Sequence, residues 1–559
     1  MARTDSPGAE PQPASSPIHR RDLVIFLLTL LVVVATLGQV LGNGFVWDDV
    51  FLVRYAKSLG DFSSLGETLT NPFWMNSSYI SPKGIDFWRP VTSLVLWLGG
   101  LIFGKSPAGF HLVSLLVLFT MGGSFALLLR RMVPSTSAPL LPWWLALLFV
   151  AHPISAEVLS MVANMSDHLA FLFLTWEIIF LLDAQRGDSP GRDYALAALM
   201  GFLAAGSKEL GVISVAMPLF AWGFGRLSEH RPARSWIMRP WPWVAAVLPV
   251  IVYVVLRTLV MRSAGHATHP TAHASLSIET VLIGWWELVR HLFAPSPHGA
   301  EILVDPESLA ARIPTALAWL GLVAIVARAV VRRRLDLTVL GLALSLLLLI
   351  PPMLIVERAP QGLFYSTRYF HLPLAGLIIG LVPFLEKRWS RGIRLAVPLF
   401  VGLLCILSWI RISEWRDEVS FYSAETSYNP IPRNHLNLAF VLIENGAFSK
   451  AQEVLDDTGK LPNSSLPGVA SRIESARGKI ALIRDGDLDL AARHAKEALD
   501  LNPRDLVCVL DLALVFKVQG NVEQALALLE EALSKPWFND HQRRTIVRKI
   551  AEYEEAQKN

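Results

Sequence analysis

About eleven apolar runs, most of them near the length needed to cross a bilayer, follow one another between residues 23 and 410. No other feature restricts the fold so tightly. In hydrocarbon every backbone N–H and C=O must be satisfied within the chain, so such runs form helices. They fall at 23–42, 110–129, 140–151, 168–182, from 194, at 212–224, 241–260, in a run ending at Arg332-Arg333-Arg334, and at 337–355, 369–385 and 395–410. Cations fill alternate connections: Arg20 and Arg21, Arg130 and Arg131, Arg186 and Arg192, Arg226 to Arg239, then Lys387 and Arg388. The positive-inside rule puts these in the cytosol. An odd number of spans then leaves the C-terminal tail on the opposite side.

Composition supports this reading. Charged residues make up 17%, against about a quarter in soluble domains, and mean hydropathy is +0.43. A net charge of +3 is too small to argue for nucleic acid, and no basic run is interleaved with aromatics. Cys405 and Cys508 offer neither a disulfide framework nor a metal pattern. Residues 1–20 read as a disordered cytoplasmic leader, 21–412 as a membrane domain, and 413–559 as a separate tail. Within the membrane domain, 43–107 and 262–312 are the long outer loops. Residues 91–103 are too short to span and read as a helix on the outer surface, as does the amphipathic stretch 278–293.

The tail repeats. Gly446, Gly486 and Gly520 are each followed five residues later by Ala451, Ala491 and Ala525, and 34 residues separate Gly486 from Gly520. That is the tetratricopeptide period, a helix–turn–helix in which small residues let helices pack closely. The expected fold is therefore all-α: a polytopic helical membrane protein with outer-face juxtamembrane helices, followed by a tetratricopeptide-like solenoid of about three units.

Traced through this topology, the polar residues that stand out all surface on the outer side. They are Asp48, Asp49, Arg89, His152, Glu157, Asp167, Lys208, Glu209, Arg358 and Arg368. Each has an ordinary explanation taken singly, as a helix end, a solvated loop residue or a structural ion pair such as Lys208-Glu209. Acids and cations converging at headgroup level suit a substrate that carries a phosphate and must lose it.

Taken in order, the motifs are Val46-Trp47-Asp48-Asp49, Trp88-Arg89-Pro90, Gly109-Phe110-His111, His152-Pro153 with Glu157, Asn164 with Asp167, Ser207-Lys208-Glu209, Arg368-Tyr369 and Trp415-Arg416-Asp417-Glu418. This ordered set resembles the transmembrane-and-tetratricopeptide branch of the protein O-mannosyltransferases, membrane glycosyltransferases of the GT-C fold. The resemblance covers about 42–532. It departs at Asn164, where Gly-Arg is expected, and in the small number of repeats.

The resemblance implies a hexose, mannose or another, carried on a polyprenyl phosphate and moved to a Ser/Thr hydroxyl of a protein, or to a glycan, by an inverting displacement. Asp48 and Asp49 are the catalytic pair, with Asp49 favoured as base. Arg89, His152, Glu157, Asp167, Lys208, Glu209, Arg368 and Tyr369 would bind donor phosphate and sugar. The residues demand no cofactor, although a divalent cation bridging acid and phosphate is compatible with an acidic cluster. His266, His269 and His273 fit no familiar ligand spacing and read as loop. Membrane lipids and an acceptor held by the repeats are the expected partners. The expected location is a bacterial inner membrane with the repeats in the periplasm, or the ER lumen in a eukaryote. An O-antigen-ligase-like oligosaccharyltransferase and a non-enzymatic membrane scaffold are the competing readings.

Overall fold

The structure is a computed structural model that describes residues 20–56, 59–74, 87–132, 138–187, 189–227, 234–263, 277–332, 336–359, 362–538 and 540–558. Every expected span coincides with a helix. Among the described residues eight helical segments are long and apolar enough to cross a membrane, and the bent pair Leu141–Ala151 and Pro153–Ser160 makes a ninth. Pro190–Ser207 lies outside that set, and Leu337–Met353 is apolar but shorter. Each packs along a neighbour that spans: Met165–Arg186 for the former, His371–Lys387 for the latter. Large apolar side chains such as Leu28, Leu31, Leu320 and Leu399 stay exposed along the helices, as a lipid-facing surface requires.

The first and last spans are partners. At one end Arg394 Nη1 pairs with Asp22 Oδ2 at 3.0 Å. At the other, Gln39 Nε2 donates to Ser413 Oγ at 2.7 Å and Asn43 Nδ2 to the Ile412 carbonyl at 2.9 Å. Arg20–Gly38 and Arg391–Glu414 therefore run parallel, so the Asp48 loop and the tail emerge from the same end of the helix bundle.

Leu337–Met353 and His371–Lys387 pack backbone to backbone. A Cβ on Gly341 would lie 2.4 Å from the Gly380 nitrogen, and one on Gly376 2.5 Å from the Ser345 nitrogen. Small residues permit such contact in lipid, where packing rather than water release holds helices together. Gly341→Ala is expected to cost about 1–3 kcal/mol through overpacking. Gly321→Ala, whose Cβ meets nothing within 4 Å, gains helix propensity at no steric cost. Thermal unfolding of the two variants in detergent should shift in opposite directions.

The expected amphipathic helix is Ile278–Phe293, burying Ile283, Trp285, Leu288 and Leu292. The short helix after the first loop is Pro90–Phe103, with Pro90 in its first turn, where a missing N–H costs nothing. A three-stranded antiparallel sheet was not expected. β1 (Glu301–Val304) and β2 (Glu357–Ala359) both pair with the central β3 (Gly362–Ser366), with Glu301 opposite Ser366 and Glu357 opposite Phe364.

In the tail, three helix pairs stack: Pro432–Glu444 with Phe448–Thr458, Pro467–Ile480 with Leu488–Leu501, and Leu506–Val518 with Val522–Ser534. Gly446, Gly486 and Gly520 make the turns with φ of 73°, 64° and 83°, a region that favours glycine. Ala451, Ala491 and Ala525 are fully buried where the paired helices touch.

Candidate active site

The loop after the first span turns sharply at Trp47, whose φ of +56° is left-handed. The two carboxylates that follow part company. Asp49 is fully buried, and its Oδ2 and Oδ1 accept N–H bonds from Val162 and Ala163, both at 2.8 Å. Burial pushes its carboxyl up to about 8 against those two donors, and the neighbouring Asp48 adds to the rise. Asp48 is 22% exposed, with Oδ2 3.9 Å from Arg368 Nη1. Burial raises its carboxyl too, while Arg368 and Arg89 hold it down. The sequence favours Asp49 as base; here both its oxygens are engaged and neither reaches the surface. The accessible carboxylate is Asp48.

Arg89 is delivered by the loop's closing motif. Trp88 Nε1 donates to the Leu69 carbonyl at 2.8 Å, and the Trp88 ring stacks on Tyr253 with centroids 5.5 Å apart. Thr92 Oγ1 then donates to the Ser207 carbonyl at 2.8 Å, which brings Arg89 beside the Lys208-Glu209 corner. Arg89 Nη2 pairs with Glu209 Oε2 at 2.8 Å and its guanidinium lies over Phe87 at 4.4 Å. Lys208 and Glu209 do not pair with each other. Lys208 Nζ contacts both Asp167 oxygens, at 2.6 and 2.5 Å. Its ammonium pKa is lowered by burial and by the nearness of Arg89 and Arg368, although Asp167 opposes the fall. Arg368 Nη1 donates to Asn164 Oδ1 at 3.2 Å, and its guanidinium lies 5.9 Å from the centroids of Trp47 and Tyr369. Asp48, Arg89, Asp167, Lys208, Glu209, Arg368 and Tyr369 thus gather in one charged cluster, in which Arg368 and Arg89 act on the partly exposed Asp48.

Comparison with known proteins agrees with the sequence pattern. A tetratricopeptide-repeat family model matches residues 482–535. A protein O-mannosyl-transferase of Caenorhabditis elegans is 23% identical over 438 residues, covering 74% of this chain and 59% of that one. The human protein O-mannosyl-transferase TMTC3 is 25% identical over 197 residues, 34% of this chain and 21% of that one. The chain is similar to the protein O-mannosyl-transferases. It spans little more than half the length of the worm protein. The solved structure of ArnT from Cupriavidus metallidurans bound to undecaprenyl phosphate covers 94% of this chain and 84% of its own, with a TM-score of 0.42 at 14% identity. The chain is an integral membrane protein.

Two further expected donor-binding residues, His152 and Glu157, are tied into the helix framework. His152 breaks the third span: its Nδ1 accepts the Ile154 N–H at 3.2 Å as a helix cap, which leaves Nε2–H to donate to the His291 carbonyl at 3.1 Å. The two halves of the span bend by 55° there. Glu157 is 2% exposed, accepts the Thr367 hydroxyl, and takes Arg411 Nε at 3.2 Å. These bonds tie both side chains to neighbouring elements of the fold. Arg411 also binds Glu414 at 2.6 Å and Glu425 at 3.4 Å, and Glu425 Oε1 accepts the Ala300 N–H at 2.7 Å. Reading the sequence missed Arg411, although a cation inside an apolar run was signal enough. It missed His168 and His371 as well, buried beside Asp167 and Arg368 with rings 5.1 Å apart. Arg358 pairs with Glu279 at the sheet. Among the described residues the one cation-sized group of ligands, Glu474, His494 and Glu497, lies in the repeats. His266, His269 and His273 lie outside the described residues.

Proposed function

We propose that this chain is a GT-C-type membrane glycosyltransferase that moves a hexose, mannose by analogy with its relatives, from a polyprenyl-phosphate donor to a Ser/Thr hydroxyl of a protein. The observation that carries this is Asp48, a partly exposed carboxylate 3.9 Å from Arg368 in a cluster that also holds Arg89 and Lys208. Asp48 takes the acceptor's hydroxyl proton as that oxygen attacks the anomeric carbon. The bond from that carbon to the phosphate oxygen breaks, and its electron pair leaves with the phosphate. Arg368, Lys208 and Arg89 face the charge that develops there, and fixed charges aimed at a leaving oxyanion often supply the largest catalytic contribution. The sugar is inverted and no covalent enzyme intermediate forms.

The reaction side is the one from which both the Asp48 loop and the repeats emerge. We assign it to the extracytoplasmic face, periplasmic or luminal, because the basic connections lie at the other end. The repeats then stand where an acceptor protein would arrive.

Purified protein incubated with radiolabelled polyprenyl-phosphate hexoses and a Ser/Thr peptide should transfer label to the peptide. Absence of transfer from every hexose donor, with the protein folded, would refute the reading. Lys208→Met should reduce turnover about 100-fold, the usual cost of removing one donor to a developing oxyanion. Steady-state kinetics should place that loss mainly in kcat. Deleting residues 429–559 should change the ranking of acceptor peptides before it changes donor hydrolysis, since helical repeats present binding surfaces.

A further inference from the structure

The joint between the membrane domain and the repeats touches the loop that carries Asp48. The last span ends at Glu414, and Trp415 and Phe421 follow, each 1% exposed, with ring centroids 4.4 Å apart. The Trp47 ring packs onto both: 6.4 Å from Trp415 and 22° from parallel to it, and 5.5 Å from Phe421. The backbones are tied as well, since the Gly44 N–H donates to the Arg416 carbonyl at 2.8 Å. From the far side His111 Nε2 lies 3.2 Å from the Gly44 carbonyl.

This contact bears on Trp47's conformation. A non-glycine residue at positive φ is held there by its surroundings at a cost of about 1–3 kcal/mol. Trp47 is one of two such residues among those described, the other being Asn463 in a tail turn. Asparagine tolerates that region because its short polar side chain can bond locally; tryptophan has no such recourse. A different backbone conformation at Trp47 would redirect the next residue, Asp48, which now lies 3.9 Å from Arg368.

We propose that Trp415 and Phe421 are positioning residues: they clamp Trp47 in the left-handed conformation and so aim Asp48 at Arg368 and the charged cluster. The inference rests on the reading of Asp48 as base. It adds that the repeat-domain joint completes the active site, since Phe421 lies on Glu418–Tyr428, the helix that packs against the first repeat helix, Pro432–Glu444.

The test uses the full chain in detergent, with polyprenyl-phosphate mannose and a Ser/Thr peptide. Trp415→Ala and Phe421→Ala should each lower kcat by about 10- to 100-fold, the range expected when a catalytic group is misplaced by an ångström or less, with the KM for donor within about twofold of wild type. Deuterium exchange over residues 43–50 should accelerate in both variants while exchange in the repeats stays unchanged. Trp415→Phe should keep most of the rate. Adding Trp47→Asn to Trp415→Ala should recover much of the lost kcat, because asparagine holds positive φ without the clamp; a purely structural role would give no such rescue. Wild-type kcat in both alanine variants, or a loss with neither faster loop exchange nor rescue, overturns the proposal. If Trp415→Ala does not fold, Trp415→Leu replaces it under the same criteria. If the wild-type protein transfers nothing, the assigned activity fails on that result alone. The exchange measurement then decides the clamp: faster exchange at 43–50 supports it, unchanged exchange overturns it.

Discussion

Asp48→Asn is expected to lower transfer by about 100- to 10,000-fold, the range of a lost general base, with folding and membrane insertion intact. The side chain is partly exposed, so an isosteric amide there disturbs little packing. Asp49→Asn should behave differently. Its amide nitrogen would face one of the two N–H groups of Val162 and Ala163, leaving a buried donor without an acceptor at a cost of about 1–3 kcal/mol. The expected result is a lower melting temperature with most of the kcat per folded molecule retained. Equal kcat loss in both variants would remove the division of labour. The pH dependence is a second measure. A base must be ionised, and burial raises the Asp48 pKa despite Arg368 and Arg89. The acid limb of kcat/KM should therefore fall at a pH above that of an ordinary aspartate. Arg368→Ala removes a charge that holds the pKa down, so it should move that limb higher still.

In the proposed mechanism Asp48 is the base, whereas the sequence alone favours Asp49. Adjacency shows that two carboxylates share a turn but not which one faces inward. That is decided by Val162 and Ala163, more than a hundred residues away, whose N–H groups need an acceptor. The Lys208-Glu209 corner has a similar lesson. Lys208 has extended backbone, φ −154° and ψ 148°, and neighbouring side chains there point to different partners, Asp167 and Arg89. Local chemistry was legible: the spans from hydropathy, the repeat turns from glycines at positive φ, the helix at Ile278–Phe293 from its amphipathic pattern. What was hidden was set by contacts distant in sequence. The sheet pairs Glu301 with Ser366 through strands of three to five residues, too short for their alternation to stand out. His152 and Glu157 stand out in the sequence, but their partners, His291 and Arg411, lie 139 and 254 residues further along the chain.

Arg411→Met should be the most destabilising single change in the membrane domain. The guanidinium is 4% exposed and serves Glu157, Glu414 and Glu425, whose side chains are 2%, 16% and 5% exposed. Breaking a buried ion pair by removing one partner costs about 3–5 kcal/mol, because the remaining charge has neither water nor counterion. Here one deletion strands three carboxylates that join the last span, the bent third span and the first tail helix. Thermal unfolding in detergent should show the loss, and Glu157→Gln in the same chain should restore part of it. The pH dependence has a definite sign. Burial raises the Glu425 carboxyl above its ordinary value while Arg411 holds it down, so the variant raises it further. A group whose folded pKa is raised contributes stability that is complete below its unfolded value and disappears as pH climbs through the folded one. The Arg411→Met protein should therefore be closer to wild type at pH 5 than at pH 8. A deficit that does not change across that range would mean that lost packing, rather than stranded charge, dominates at this joint.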